Sequence, residues 1–454
     1  MSVTIEPIRS NNGPKEPLTK IHTLGSVRQR HEHTDEIILI PTPSRDPNDP
    51  LNWYVELLKI PRFISIELHS LTCTRSQRRK YYMAMLICFA MFMCNFLAAG
   101  PSISILETAL DFFPTAGPAG MSNAIAKTAY FFTTTALLQG TGNILWMPLV
   151  NKYGRRPIYL ASFSLYLVAA LWLSFTKSYG SFLAARIFMG FCAGAAETMA
   201  PLSIADGKFT HLLSAGFQAH WGIIISGLIT IHNTWRTTYY VATALIGALL
   251  LLVFFTFPET SYNRDPTLVT SSSTSLSQEK PGLSDEHIES ESIAAIPKRK
   301  SYLQELKIYS GTYTTESLAH LIIRPLALII LPPVLWGSLV MSVTIGFLVA
   351  VTSNVAPAYN TAYGFEAWQT GLCFFSAIIG SLVGIYIGGH LTDKMADWFT
   401  KRNGGMREPE MRLPSIVVSL ITTPLGLVLF GVGIQYKLHW MCPTVGLGLC
   451  KSSR

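Results

Sequence analysis

Long apolar runs recur along this chain, and no other feature constrains its fold as tightly. They cover roughly 82–104, 124–150, 157–176, 179–205, 212–231, 236–257, 326–351, 366–390 and 413–433, and a last run starts near 438. A helix needs about 20 apolar residues to cross a hydrocarbon core about 30 Å thick. Inside that core only helices and closed barrels satisfy their own backbone groups. Runs of this length predict an all-α polytopic membrane protein. Composition agrees, because 49% of the 454 residues are hydrophobic and 14% are charged, against about 25% charged in a soluble domain. The runs at 124–150 and 212–231 are the least apolar, which suits helices lining an aqueous path.

The net charge of +8 is read by position. A nucleic-acid binder concentrates basic residues on a water-facing surface, whereas here they flank apolar runs. The expected surroundings are a lipid bilayer, with no nucleic-acid partner. "SQRRK" (76–80) precedes the first run, "NKYGRRP" joins the second to the third, and Lys394, Lys401, Arg402, Arg407 and Arg412 lie between the eighth and ninth. Residues 105–123 and 352–366 carry no cation. Lys and Arg stay on the cytoplasmic side, so the chain is expected to be multi-pass in the cell membrane with a cytoplasmic N-terminus.

Residues 1–53 are polar and rich in proline, and the stretch 259–321 contains "SSSTSLSQEKPGLSDEHIESES". Such compositions cannot build a core. The expected organisation is a cytoplasmic tail at 1–81, a six-helix bundle at 82–258, a disordered cytoplasmic linker at 259–321 and a second bundle at 322–454. The seven cysteines show no paired spacing, and four of them (Cys88, Cys94, Cys192 and Cys373) sit inside apolar runs, as small packing residues do. No metal-ligand or nucleophile constellation stands out, so no catalytic residue, metal or cofactor is expected. No Gly-x-x-x-x-Gly-Lys-Ser/Thr loop is present, which leaves ATP-driven transport unsupported.

Two loops repeat a pattern. "MPLVNKYGRR" (147–156) follows the second run of the first set, and "GGHLTDKMAD" (388–397) follows the second run of the second set. Together they resemble the signature Gly-x-x-x-Asp-Arg/Lys-x-Gly-Arg-Arg/Lys of the major facilitator superfamily. Gly389, Asp393 and Lys394 match its front, and Lys152, Gly154, Arg155 and Arg156 match its back. Asn151 stands at the Asp position of the first copy and lacks its charge, and Met147 stands at the Gly position. The resemblance implies a two-bundle fold in which both loops form a conformational gate.

In the fourth run, "ARIFMGFCAGAAETMAP" (185–201) resembles the family's pattern of an Arg followed by spaced small residues. At about 100° per residue, Arg186, Ala193 and Glu197 share a helical face, with roughly 16 Å of helix between the two charges. A charge inside a bilayer normally faces a cavity or a partner, although Arg186 near a membrane end would snorkel. The family ties this Arg to proton coupling, and Glu197 is the matching candidate for a titrating or cation-binding carboxylate. Asn95, Gln139 and Asn143 are polar residues in the first two runs that either line a substrate cavity or hold helices together.

"GIIISG" (222–227) is similar to the Gly-Pro-x-x-Gly-Gly of drug exporters only at Gly222 and Gly227, and "FPETSYNR" (257–264) carries the family's Pro-Glu-Thr ending of the sixth helix. "DPNDPLNW" (46–53) and "RNGGMREPEMRLP" (402–414) look like fungal members of the drug:proton antiporter branch. Residues 54–75 separate two pieces that lie nearly adjacent in that pattern. They read either as an amphipathic segment on the membrane surface or as a translated retained intron. The short stretch at 207–221 stands where the pattern has a longer loop and half-helix. About 12 apolar residues in the last run cannot cross the core, so the second bundle is expected to be incomplete.

The function expected from this resemblance is secondary transport of a small organic solute, with protons as the coupled ion, in the direction of drug or secondary-metabolite export. One rival is uptake of an organic cation such as a polyamine, with Glu197 and Asp206 binding it. The other is a membrane protein that no longer transports.

Overall fold

The computed structural model describes residues 27–28, 66–114, 117, 120–207, 215–261, 304, 306–309, 311–403, 406–407 and 409–452. Most of the expected tail and of the expected linker lies outside the described residues, but residues 66–81, expected as tail, are helical. The chain divides into two compact units, residues 1–40 with 390–417, and residues 41–389 with 418–454. In the smaller unit a two-residue antiparallel bridge pairs Val27 with Arg407 and Arg28 with Met406.

The larger unit is helical. The first helix, α1 (Ile66–Ala99), passes into a 3-10 turn at Gly100–Ser104 with Pro101 at its start, where a missing N–H costs nothing. The helix begins inside the 54–75 insertion, of which residues 66–75 are its first turns. Next come α2 (Ile105–Phe112), α3 (Met121–Tyr153), α4 (Arg155–Phe175), α5 (Tyr179–Gly207), α6 (Ala215–Ile229) and α7 (Thr237–Thr256). The second half holds α8 (Leu318–Leu328), α9 (Pro332–Tyr363), α10 (Ala367–Cys373) and α11 (Phe375–Val383). A π-helical turn at Gly384–Gly388 ends this stretch. From His390 on, α12 (Gly389–Arg402) belongs to the smaller unit. The larger unit resumes at Val418 within α13 (Ile416–Gln435) and continues with α14 (Met441–Ser452).

Among the described residues seven helices are long and apolar enough to cross a membrane. Neither α3 nor α6 belongs to that set: α3 carries many polar residues, and α6 has only 15 residues. With 33 residues, α3 still reaches about 50 Å. Part of its polarity faces inward, since Thr128, Thr135 and Gln139 are buried.

Small residues set how closely these helices approach, as membrane packing requires. A Cβ on Gly190 or Gly194 of α5 would run into the carbonyls of Thr135 or Gln139 on α3. Trp146 closes the same seam by donating its indole N–H to the Phe191 carbonyl at 2.8 Å. Gly222 and Gly227, singled out in the sequence, serve packing as well. A Cβ on Gly222 would lie 2.9 Å from the Cα of Phe96 in α1, and one on Gly227 would lie 3.2 Å from the Ala367 carbonyl of α10. The second half is thinner. α14, with 12 residues, packs its Gly448 on the backbone near Gly380 of α11. Along α9, Trp336, Val340 and Phe347 are exposed.

Candidate functional site

The seam between α3 and α5 holds a polar cluster inside the first half. Gln139 is buried and donates its amide N–H to the Glu197 carboxylate at 2.7 Å. One turn along, Thr198 donates to the Asn143 side-chain oxygen at 3.2 Å. The glycine at 194 admits this cluster, because a Cβ there would lie 3.0 Å from that same Asn143 oxygen. Glu197 is half-buried. A carboxylate at this depth needs a hydrogen-bond donor, and the Gln139 amide supplies one. Asn95 stands apart, with its amide donating to the Met91 carbonyl on its own helix.

Arg186 is fully buried. Its guanidinium donates to the Leu97 carbonyl of α1 at 2.7 Å and to the Tyr239 hydroxyl of α7 at 2.8 Å. The rings of Phe132, Tyr239 and Phe182 surround it, with centroids 5.0, 5.4 and 5.9 Å away. Among the described residues no carboxylate pairs with it. Cation–π contacts strengthen where water is excluded, and here they tie α5 to α3 and α7, while the hydrogen bond to Leu97 ties it to α1. Arg186 and Glu197 therefore occupy separate environments, and the snorkelling alternative is excluded by the complete burial of the arginine. Tyr239, its principal side-chain partner, carries no sequence signal that marks it, because it lies 53 residues away in an apolar run.

The 151–156 turn is built by reciprocal capping. α3 ends at Tyr153, and Gly154 takes φ 93° before α4 begins. The first N–H groups of a helix lack partners within it. Here the Glu259 carboxylate accepts from the N–H of Arg155 at 2.9 Å and from that of Arg156 at 3.1 Å. In return the buried Arg156 guanidinium donates to the Phe254 carbonyl at 2.7 Å and to the Phe257 carbonyl, the orphan acceptors at the end of α7. Arg155 donates to the Ser261 hydroxyl at 2.8 Å. Anions suit a helix N-terminus and cations a C-terminus. Asn151 is exposed. The carboxylate at this turn thus comes from Glu259 of the Pro-Glu-Thr ending.

The second copy of the pattern is not a turn. Gly389, Asp393 and Lys394 all lie within α12, which runs to Arg402. Ala396 stands at the place corresponding to Gly154, so nothing breaks the helix there. Asp393 lies 3.7 Å from Arg412, with both side chains exposed.

Where the two halves of the larger unit meet, at the end opposite the α3–α4 turn, a cavity of about 300 Å³ opens. Glu107 of α2 and Glu366 beside α10 both line it, together with Asn360, Phe365 and Trp368. These two carboxylates carry no sequence signal, because each lies at the edge of an apolar run and no motif joins them. His220 is buried in α6 with its ring 6.3 Å from that of Phe374. The side chain of Asp206 lies outside the described residues.

Known proteins resemble this chain in sequence and in fold. The MFS transporter cpaT of Aspergillus oryzae is 27% identical over 334 residues, covering 71% of this chain and 63% of that protein. The chain thus matches less than two thirds of that relative's length. The probable efflux pump mfs2 of Aspergillus flavus is 26% identical, with 77% and 78% covered. Protein HOL1 of Saccharomyces cerevisiae is 23% identical, with 91% and 76% covered. Among solved structures, the inward open conformation of the xylose transporter XylE from E. coli superimposes with a TM-score of 0.52 at 12% identity, covering 82% of this chain and 79% of that one. This likeness concerns the fold. The sequence profile of the Major Facilitator Superfamily matches residues 84–450, and the chain belongs to that family of multi-pass membrane transporters.

Proposed function

We propose that the protein carries a small organic solute across the cell membrane and couples its movement to protons, in the direction of export. The observation that carries this reading is Glu197, a half-buried carboxylate held by Gln139 in the only charged position of the α3–α5 polar cluster among the described residues. A carboxylate in such a place titrates between conformational states as its access to water changes. Gln139, Asn143 and Thr198 would face the solute, while Arg186 would hold α1, α3, α5 and α7 in register around it. The bundles at 82–258 and 322–454 would rock about the site between them. A probable efflux pump of Aspergillus flavus among the relatives supports the direction.

Uptake of an organic cation is the second reading. The cavity shared by Glu107 and Glu366 favours it, since two carboxylates beside Trp368 and Phe365 suit an ammonium group. Purified protein in liposomes, given an imposed pH gradient and a panel of labelled amines and neutral metabolites, separates the two. Export predicts solute movement against the proton flow. Movement of a polyamine with the proton flow would replace the first reading with the second.

A further inference from the structure

The chain just before α8 crosses back onto the first half. The backbone N–H of Tyr313 donates to the Lys152 carbonyl at 2.9 Å. The Lys152 ammonium donates to the Glu316 carbonyl at 3.3 Å. The Tyr309 ring lies 6.4 Å from the Tyr153 ring. The Tyr313 ring closes over Gly154, where an added Cβ would come within 2.9 Å of it. Gly311, which stands between the two tyrosines in sequence, takes φ 106°. These residues have no helix or sheet of their own, so their backbone is fixed by what they touch. The turn they touch is the one that Glu259 and Arg156 lock to α7.

We propose that Tyr309 and residues 311–317 form a clasp, which fastens the entry to the second half onto the 151–154 turn and must release when the two halves separate at this end. The Lys152 carbonyl is one of the last of α3, left without an intrahelical donor, so a main-chain donor from the other half satisfies it at no cost in sequence specificity. Side chains add the ring contacts and the lysine. Lys152 thereby gains a stated partner, the Glu316 carbonyl, which the gate signature alone does not give it.

The test uses spin labels on cysteines introduced at Asn151 and Thr315, both exposed positions, in the full-length protein reconstituted in lipid nanodiscs. Distances between the labels are read by pulsed dipolar spectroscopy. The unaltered clasp gives a short and a long distance in exchange. Tyr313→Pro deletes the N–H donor and is expected to raise the ratio of long to short about fivefold, the weight of one hydrogen bond. Tyr313→Phe keeps donor and ring and leaves the ratio unchanged. Lys152→Met with Tyr309→Ala leaves the backbone untouched and shifts the ratio in the same direction as the proline, by less. If the double variant and the proline variant, each with native helix content, both keep the original ratio, the clasp is overturned. A proline variant that fails to fold leaves the double variant to decide.

Discussion

In the first half α3 stops at Tyr153, while at the corresponding place in the second half α12 runs on through Ala396 to Arg402. One residue accounts for the divergence. Gly154 takes a positive φ that other residues adopt only under strain, whereas Ala396 is a strong helix former. Once the helix has ended, its neighbour's N-terminus needs an anion, and Glu259 supplies it from the end of α7. Where the helix continues, no such end exists, and Asp393 is left on the surface with an exposed partner. The lesson concerns charge in such motifs. A carboxylate matters here through the unpaired backbone groups it meets, more than through its place in a pattern.

The sharpest way to break this contrast is Gly154→Ala. A Cβ there would stand 2.6 Å from the Glu259 carboxylate at φ 93°, and such strain costs about 1–3 kcal/mol. The melting temperature of the purified protein in detergent is expected to fall clearly, and an unchanged value would refute the role given to the glycine. Next in size is Glu259→Ala, which uncovers two N–H groups at the start of α4 and is expected to cost about 1–2 kcal/mol. Glu259→Gln keeps an acceptor and should cost less. If Gln proves as damaging as Ala, charge outweighs capping.

Ala396→Gly brings the first half's residue into the second. The expected loss is about 0.5–1 kcal/mol, with faster amide hydrogen exchange at 397–402 than at 390–395. Uniform exchange along α12 would show that neighbouring structure, and not residue 396, keeps that helix going. The smallest effect is assigned to the exposed pair. Asp393→Asn is expected to change stability by less than about 0.5 kcal/mol, and so is Asn151→Asp. The latter still bears on gating. Cysteine accessibility at the two membrane faces of Asn151→Asp reports whether the restored charge alters the balance of states, and an unaltered balance would leave Glu259 as the sole carboxylate of that turn.

The apolar runs placed the helices well because the bilayer demands a length and a composition that few other structures share. Even α3, too polar to be recognised by hydropathy alone, was legible through its moderate run and the charged turn after it. The site was legible only in part. Gln139, Asn143 and Glu197 do meet, since two of them lie one turn apart on one helix and face small residues on the next. Asn95 does not join them. The partner of the 151–156 turn was hidden because Glu259 lies 104 residues from Arg155, and hydropathy carries no record of which helix ends meet. Arg186 invited a cavity or a membrane end, but its environment is made by aromatic rings from α3 and α7 and a carbonyl of α1, which no local pattern joins. The motif's front at 389–394 suggests a turn, whereas Ala396 keeps α12 continuous through it.

Glu197 is the centre of the functional account, and one comparison tests it most directly. Wild-type protein and Glu197→Gln are reconstituted in parallel, and two fluxes of one transported solute are measured: uptake driven by an imposed pH gradient, and exchange of labelled for unlabelled solute without a gradient. The account predicts that Gln, which keeps the hydrogen bond to Gln139 but cannot ionise, abolishes the gradient-driven flux and preserves exchange. Gradient-driven flux at the wild-type rate in Glu197→Gln would contradict it.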